Sequence, residues 1–277
     1  MKINPREHQL IAKYVYEQCG IVLDESKAYL LESRLTPLAE ELDCASFADL
    51  YTKIISDRTK KLTNRLIDAM STNETSFFRD QKPFDLFRFK IIPDLIDRLE
   101  QSPLPSKAIN IWSSACSTGQ EVYTIAICLH EILGAGISKY RIKIVGTDIA
   151  DSAIVQASRA NYSQFEIGRG MPDNLLRKYF VQDGSNWRVK DELRSMAFFR
   201  KQNLMESFSL LGKFDIVFCR NVAIYFSMED RKSLFSRIAD QISPGGVLLI
   251  GSTESLYGVS DRYERCEYHN SIFFQVK

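Results

Sequence analysis

Residues 70–80, MSTNETSFFRD, combine side chains that could do chemistry with side chains that belong in a core. Asn73 and Thr75 offer an amide and a hydroxyl, and Arg79 offers a planar cation that can bind a carboxylate through two hydrogen bonds. Two adjacent phenylalanines stand between them, which suits neither a helix face nor an alternating strand. Hydroxyl residues ahead of an acidic residue also cap helices, so this stretch alone leaves both capping and chemistry open.

A second group of candidates follows two apolar stretches. After INIW comes SSACSTGQEVY, whose small residues and Gly119 let the backbone approach a ligand closely. After RIKIVGT comes Asp148, 29 residues past Gly119, where a carboxylate can accept hydrogen bonds from both hydroxyls of a ribose. The glycine patterns that bind pyrophosphate or triphosphate are absent from the sequence. The spacing therefore indicates a site for S-adenosylmethionine, which carries no phosphate; the alternative is a tight turn beside an exposed acidic residue.

Polar residues also end two further apolar segments. Arg220 and Asn221 directly follow KFDIVFC, and a charge after a buried strand must be solvated or paired. Asn203 ends MAFFRKQN, where its amide could read the edge of an adenine. We expect all three residues at the rim of the same pocket.

The elements that would position these residues follow two different hydrophobic patterns along the chain. Residues 1–75 carry apolar side chains at three- and four-residue spacing and predict a small all-helical unit. Residues 76–106 predict a connecting helix from Pro83 to Leu99 and then a linker, EQSPLPSKA. Residues 107–277 alternate strands with helices, which indicates an α/β fold with a doubly wound sheet. A small β insertion with a hairpin turning at DGSN is expected at about 162–200.

Composition narrows the class of protein. The chain has 277 residues, 45% hydrophobic and 26% charged, with a net charge of +1, so nothing draws it toward nucleic acid or an acidic membrane. No apolar run approaches the roughly 18 residues of a membrane span, and the N-terminus lacks the apolar core of a signal peptide. The six cysteines are far apart and read as reduced thiols. We expect a monomeric cytoplasmic protein that neither binds nucleic acid nor inserts into a membrane.

Five stretches together resemble one known family. STNETSFFRD, WSSACSTGQEVYTIAI, GTDI, FCRNVAIYF and PGGVLLIGSTESL, in this order, are similar to the chemotaxis receptor methyltransferases, the CheR family. The similarity covers essentially the whole chain. It implies a class I S-adenosylmethionine-dependent methyltransferase domain with a small β insertion, preceded by an all-helical domain. It further implies methylation of glutamate side chains on the cytoplasmic helices of chemoreceptors, which gives methyl esters for sensory adaptation and S-adenosylhomocysteine as product.

The resemblance assigns roles to the matching residues, from the methionine end of the cofactor to its adenine. These are Asn73, Thr75 and Arg79 at the methionine end and reacting centre, Glu121 and Asp148 as ribose and methionine ligands, Asn203 and Leu204 against the adenine, and Arg220, Asn221 and Tyr225 on the pocket floor. Two positions depart from the usual pattern, because the family has Glu where this chain has Gln120 and Pro where it has Val122.

This chemistry makes modest demands on the protein. A glutamate acceptor with a pKa of about 4.3 is ionised at neutral pH and needs no general base. Arg79 could orient the carboxylate and Tyr225 could assist by a hydrogen bond, so these two are the expected catalytic residues. The histidines are scattered without cysteine partners, so no metal is expected. Two alternatives stay open: a methyltransferase for another protein or small molecule, and a module that senses the cofactor without turnover.

Two further features bear on the protein partner. SDRTKKLTNRL predicts Arg58, Lys61 and Arg65 on one helix face next to the pocket, which could dock an acidic receptor segment or could be an ordinary solvated face. Some members of the family grip a receptor's C-terminal pentapeptide with an extended loop in the β insertion. The hairpin here, YFVQDGSNWRVK, predicts a compact four-residue turn with little chain for that loop. We therefore expect no need for the C-terminal tether; the hairpin could instead only cover a sheet edge.

Overall fold

The computed structural model of the chain describes residues 1–103 and 107–277. Four helices form its N-terminal unit. Asn4 begins the first helix by accepting a hydrogen bond from the backbone N–H of Glu7, whose carboxylate accepts from the Asn4 N–H in return. The helices are Pro5–Cys19 (α1), Ala28–Glu41 (α2), Phe47–Ser56 (α3) and Lys61–Met70 (α4), with a 3₁₀ turn at Glu25–Lys27. Their buried faces enclose a core of their own around Val15, Leu35 and Phe47. The predicted all-helical unit is confirmed.

One continuous helix connects this unit to the rest of the chain. It comprises Gln81–Leu86 (α5), a π-helical turn at Phe87–Ile91 and Ile92–Gln101 (α6), so the predicted helix is confirmed. Of the linker predicted after it, residues 104–106 lie outside the described residues.

Among the described residues, ten strands form a main sheet and a small sheet. They are Ala108–Ser114 (β1), Arg141–Asp148 (β2), Asn161–Ser163 (β3), Phe180–Asp183 (β4), Asn186–Val189 (β5), Ala197–Lys201 (β6), Phe214–Cys219 (β7), Ile242–Ile250 (β8), Tyr263–Tyr268 (β9) and Ser271–Val276 (β10). The main sheet has the order β6-β2-β1-β7-β8-β10-β9. Neighbours from β6 to β8 pair in parallel, while β10 is antiparallel to both β8 and β9.

Helices cover both faces of the main sheet, α7 on one and α12 on the other. The helices of this part of the chain are Gln120–Leu133 (α7), Asp151–Arg159 (α8), Gln164–Gly168 (α9), Asp173–Tyr179 (α10), Asp191–Arg194 (α11) and Met228–Ala239 (α12), of which α9 and α10 contact the small sheet. Successive residues of β1 face opposite sides of the sheet: Ile111 packs in the cluster that contains α7, and Trp112 packs in the cluster that contains α12. The doubly wound α/β fold is therefore confirmed, and its parallel strands bring their carboxyl ends to one edge.

The β insertion differs from the prediction in two ways. Its three-stranded sheet has the order β3-β5-β4, and β6 pairs with β2 in the main sheet, so residues 197–200 do not belong to the insertion. The β4–β5 hairpin pairs Asp183 with Asn186 and turns through Gly184 and Ser185 alone. The predicted four-residue turn is wrong, because Asp183 and Asn186 still belong to the ladder.

One helical stretch of the described residues, Gln120–Lys139, is long and apolar enough to cross a membrane by length and composition. It consists of α7 and a 3₁₀ continuation at Gly134–Lys139. Within the fold α7 packs on the main sheet through Val122, Ile125 and Leu129, which are fully buried, as a core helix does.

Candidate active site

A cleft of about 940 Å³, including its open mouth, lies at the carboxyl edge of the main sheet. Both units build it, because residues from the end of α1 and from the segment after α4 face the loops that follow β1, β2, β6 and β7. The predicted site residues that line it are Asn73, Thr75, Arg79, Glu121, Asp148, Asn203, Leu204, Arg220, Asn221 and Tyr225. Gly119 does not line the cleft; with a φ of +95° it forms the turn that begins α7.

Asp148 ends β2 with its carboxylate inside the protein. One carboxylate oxygen accepts from the Ser117 N–H at 2.8 Å and the other from the Ala150 N–H at 3.0 Å. Burial raises the pKa of Asp148, and the backbone hydrogen bonds oppose that rise. The residue is 7% exposed, so the alternative of an exposed acidic residue beside a tight turn is wrong. Each oxygen keeps a lone pair for a further donor.

Arg220 and Glu121 form an ion pair at the base of the cleft. The Arg220 Nη1 lies 2.7 Å from one carboxylate oxygen of Glu121, and Ser113 Oγ donates to the other at 2.7 Å. The Arg220 side chain is only 2% exposed, and its guanidinium lies over the ring of Phe84 at 5.2 Å. This arrangement satisfies the expectation that a charge directly after a buried strand must be paired.

The other terminal nitrogen of Arg220, Nη2, contacts the segment that carries Arg79 and Asp80. Its Nη2 donates to the backbone carbonyl of Arg79 at 2.7 Å and lies 3.2 Å from a carboxylate oxygen of Asp80. Sequence reasoning assigned no role to Asp80. The only available signal was its place next to Arg79, and its pairing with Arg220 spans 140 positions of the chain.

The TNETSFFR segment is anchored at both ends over the cleft. The Ser117 hydroxyl donates to the Asn73 carbonyl at 2.9 Å, and Phe77 is buried edge-on against Tyr162 at 5.0 Å between ring centroids. Arg79 is half-buried, and its Nη1 donates to the Glu74 carbonyl at 2.9 Å. Phe77 therefore serves as an anchor, and the polar residues on either side of the phenylalanine pair, Asn73, Thr75 and Arg79, line the cleft.

The residues predicted for the adenine end also hold the two units together. Asn203 donates from its amide to the Gln18 carbonyl at 2.7 Å and accepts from the Met205 N–H at 3.0 Å. Part of its hydrogen-bonding capacity is therefore used within the protein. Leu204 is buried with Trp112 in one core cluster and also faces the cleft.

Asn221 and Tyr225 complete the floor. Asn221 adopts a left-handed conformation with a φ of +57°, and its N–H donates to a Glu254 carboxylate oxygen at 2.9 Å. The same oxygen accepts from the Gly251 N–H at 2.7 Å, so Glu254 joins the ends of β7 and β8. Sequence reasoning assigned no role to Glu254, although this residue lies in PGGVLLIGSTESL, one of the stretches that resemble the family. Tyr225 lies in a 3₁₀ turn, and its backbone carbonyl accepts from the Val22 N–H at 3.0 Å.

The three basic residues predicted on one helix face do not share one. Arg58 lies in a turn before α4, because Asp57 accepts hydrogen bonds from the backbone of Thr59 and Leu62 and delays the helix start to Lys61. Arg65 forms hydrogen bonds with Glu41, one at 2.8 Å. The residues that line the cleft begin at Ser71, directly after α4. Lys61 is the first residue of α4 and lies about 14 Å along the helix axis from its last residue, Met70. The prediction that all three residues share one helix face is therefore wrong, while docking of a receptor segment by Lys61 and Arg65 stays a prediction.

The residues of the cleft suit S-adenosylmethionine. Three acidic residues, Glu74, Glu121 and Asp148, line it, which favours a ligand that carries an ammonium and a sulfonium and disfavours phosphates. Arg220 also lines the cleft, and its buried Nε has no hydrogen-bond partner among the described residues. Within those residues, no group of three or more His, Cys, Asp or Glu side chains could hold a metal.

Comparisons with known proteins agree with this geometry. Residues 6–71 match the family model "CheR methyltransferase, all-alpha domain", and residues 73–272 match "CheR methyltransferase, SAM binding domain". The chain is 37% identical to the "Chemotaxis protein methyltransferase" of Vibrio parahaemolyticus and to "Chemotaxis protein methyltransferase 1" of Vibrio cholerae, over 99% of this chain and 98% of each relative. It is also 37% identical to a chemotaxis protein methyltransferase of Pseudomonas putida, over 95% of both chains. The chain belongs to the CheR methyltransferase family.

Proposed function

We propose that this protein transfers a methyl group from S-adenosylmethionine to glutamate side chains on the cytoplasmic helices of chemoreceptors, and that it works in the cytoplasm as a monomer. The observation that carries the proposal is the meeting of two features at one cleft. Two carboxylates face the cleft from the sheet domain, Asp148 at the end of β2 and Glu121 in the first turn of α7, and the segment with Arg79 closes over it from the helical unit. Matches to relatives named chemotaxis protein methyltransferases over nearly the whole chain support the same function.

In this proposal each side chain has a simple task. Asp148 accepts hydrogen bonds from the ribose hydroxyls, and Glu121 and Arg220 bind the charged groups of the methionine end. S-adenosylmethionine supplies an activated methyl group when bound. The acceptor glutamate is already ionised at neutral pH, so the protein needs only to align it. Arg79 orients that carboxylate and Tyr225 assists by a hydrogen bond from its hydroxyl.

We further propose that the receptor is bound without a C-terminal pentapeptide tether. The support is the β4–β5 hairpin, whose turn of Gly184 and Ser185 is shorter than the sequence suggested and offers no loop to close over a peptide. A calorimetric titration with receptor C-terminal pentapeptides tests this point. Binding at micromolar concentration that is lost when residues 180–189 are altered would overturn it.

Methyl transfer itself is tested with tritiated S-adenosylmethionine and a purified chemoreceptor cytoplasmic fragment. Transfer to glutamate gives a carboxyl methyl ester, so the label should be released as methanol in base. Replacing the acceptor glutamates by alanine is the matched control and should abolish labelling. Base-stable labelling would favour a different acceptor group, and cofactor binding without any labelling would favour a sensing module.

A further inference from the structure

An exposed aromatic side chain with a cation on its face lies in the β insertion, and the cation is bonded to Glu74 in the lining of the cleft. Phe165 belongs to α9 of the β insertion and is 74% exposed. The guanidinium carbon of Arg169 lies 5.8 Å from the centre of the Phe165 ring. An exposed ring held under an arginine presents apolar surface and positive charge together, which suits a partner that carries both apolar and acidic groups.

This pair is joined to the segment that carries Arg79. The Nη2 of Arg169 lies 2.8 Å from a carboxylate oxygen of Glu74, and the backbone carbonyl of the same Glu74 accepts from Arg79 Nη1 at 2.9 Å. Behind Arg169, Gly170 has a φ of +122° and packs so closely on the Phe77 carbonyl that a side chain there would collide with it. The Phe165–Arg169 pair is thus held against the segment that lines the cleft.

The charges of this region favour an acidic occupant. Arg169 and Arg79 both bond to Glu74, whose side chain is 66% exposed. Arg169 pairs with the Glu74 carboxylate, whereas Arg79 donates to the Glu74 backbone carbonyl. An exposed ion pair contributes little to stability, so a carboxylate of a partner can replace Glu74 on Arg169 at small cost. Acidic residues three or four positions apart on a helix lie about 5–6 Å from each other and can address neighbouring cations at once.

We propose that Phe165 and Arg169 form a docking surface for the acidic helix that carries the acceptor glutamate. One glutamate of that helix enters the cleft beside Arg79, another carboxylate about one turn away pairs with Arg169, and an apolar side chain packs on the Phe165 ring. The inference rests on the proposed methyl transfer and specifies where the receptor helix lies. It gives the β insertion a role in binding the helix directly, in place of a peptide tether.

The test compares variants of Phe165 and Arg169 with the same substitutions at a second exposed cation–aromatic pair, Phe198 and Lys143. Phe198 is 49% exposed with Lys143 at 5.8 Å from its ring centre, and it pairs with Val145, about 10 Å before the carboxyl end of β2. We expect Phe165→Ala and Arg169→Glu each to lower kcat/KM for the receptor fragment about tenfold or more, chiefly through KM. Phe198→Ala and Lys143→Glu should stay within about twofold of the wild type.

Affinity for S-adenosylhomocysteine, measured by calorimetry, should be unchanged in all four variants. A wild-type enzyme that does not methylate the fragment overturns the proposed function and this inference with it. A wild-type enzyme that methylates the fragment, together with Phe165 and Arg169 variants of normal kcat/KM, overturns the docking surface and leaves the methyltransferase function standing. An equal loss in the Phe198 and Lys143 variants, or a lost product affinity, also refutes it.

Discussion

Replacing Arg220 is the sharpest test of how the cleft is built. The guanidinium is bonded to Glu121, to Asp80 and to the backbone of Arg79, and its side chain is 2% exposed. Arg220→Met keeps much of the volume and removes the charge, which leaves the Glu121 carboxylate, 12% exposed, without its cation. Removing one partner of a buried ion pair costs about 3–5 kcal/mol of unfolding free energy. We expect a loss in that range.

A double-mutant cycle separates the ion pair from general packing. Glu121→Gln keeps an acceptor for Ser113 and removes the negative charge, so in the double variant with Arg220→Met no uncompensated charge remains. The double variant should therefore be more stable than the sum of the two single losses predicts, by about 1–3 kcal/mol. Asp80 is 34% exposed and can be solvated, so its contribution to the loss should be smaller.

Denaturant unfolding followed by tryptophan fluorescence measures these free energies, because Trp112 is fully buried beside the cleft's sheet. The Arg220→Lys variant is the control for charge alone, and it should recover only part of the loss, since one ammonium cannot reproduce the planar fork. Losses that add within about 0.5 kcal/mol in the double variant would refute the coupling of Arg220 and Glu121.

Three further outcomes test the site. Burial raises the pKa of Asp148, so the wild type should lose stability relative to Asp148→Asn as pH rises through that pKa and the buried carboxyl ionises. The affinity for S-adenosylhomocysteine should fall as pH drops through the same pKa, because the protonated carboxyl accepts fewer hydrogen bonds. Calorimetry from acidic to neutral pH measures both the stability and the affinity. Arg79→Ala should lower kcat by about tenfold or more with a smaller effect on cofactor affinity, and Arg79→Lys should rescue poorly; a normal kcat would contradict the role of Arg79. Activity should persist in excess EDTA, because neither a carboxylate nor a sulfonium needs a Lewis acid; loss that added zinc or magnesium restores would show otherwise.

Much of the fold and the cleft followed from local patterns. A buried strand that ends in an acidic or basic residue predicts a site at the carboxyl edge, because parallel strands end together, and Asp148 and Arg220 both lie there. The residue at which a helix starts was harder to predict from the sequence. The side chain of Asp57 delays the start of α4, and a periodicity count that ignores this bond places Arg58 on the helix.

Contacts between distant parts of the chain could not be predicted. Asn203 bonds to Gln18 across 185 positions, and this pairing depends on how the helical unit packs on the sheet domain. The bonds from Asn221 and Gly251 to Glu254 depend likewise on β7 and β8 being neighbours. Local propensity carries no information about such pairings, so the residues that support the site were missed more often than those that line it.

The shared construction of the cleft has a thermodynamic consequence. Gln18 bonds to Asn203, Val22 bonds to Tyr225, and the Tyr16 hydroxyl donates to Asp230 at 3.0 Å. The end of α1 and the residues that follow it therefore form one wall of the cleft. A ligand that contacts both walls binds only while the helical unit is docked. At a hundred times its Kd such a ligand stabilises the docked state by about 2.7 kcal/mol. Amide hydrogen exchange at the end of α1, far along the chain from the methyltransferase motifs, should therefore slow when product is added.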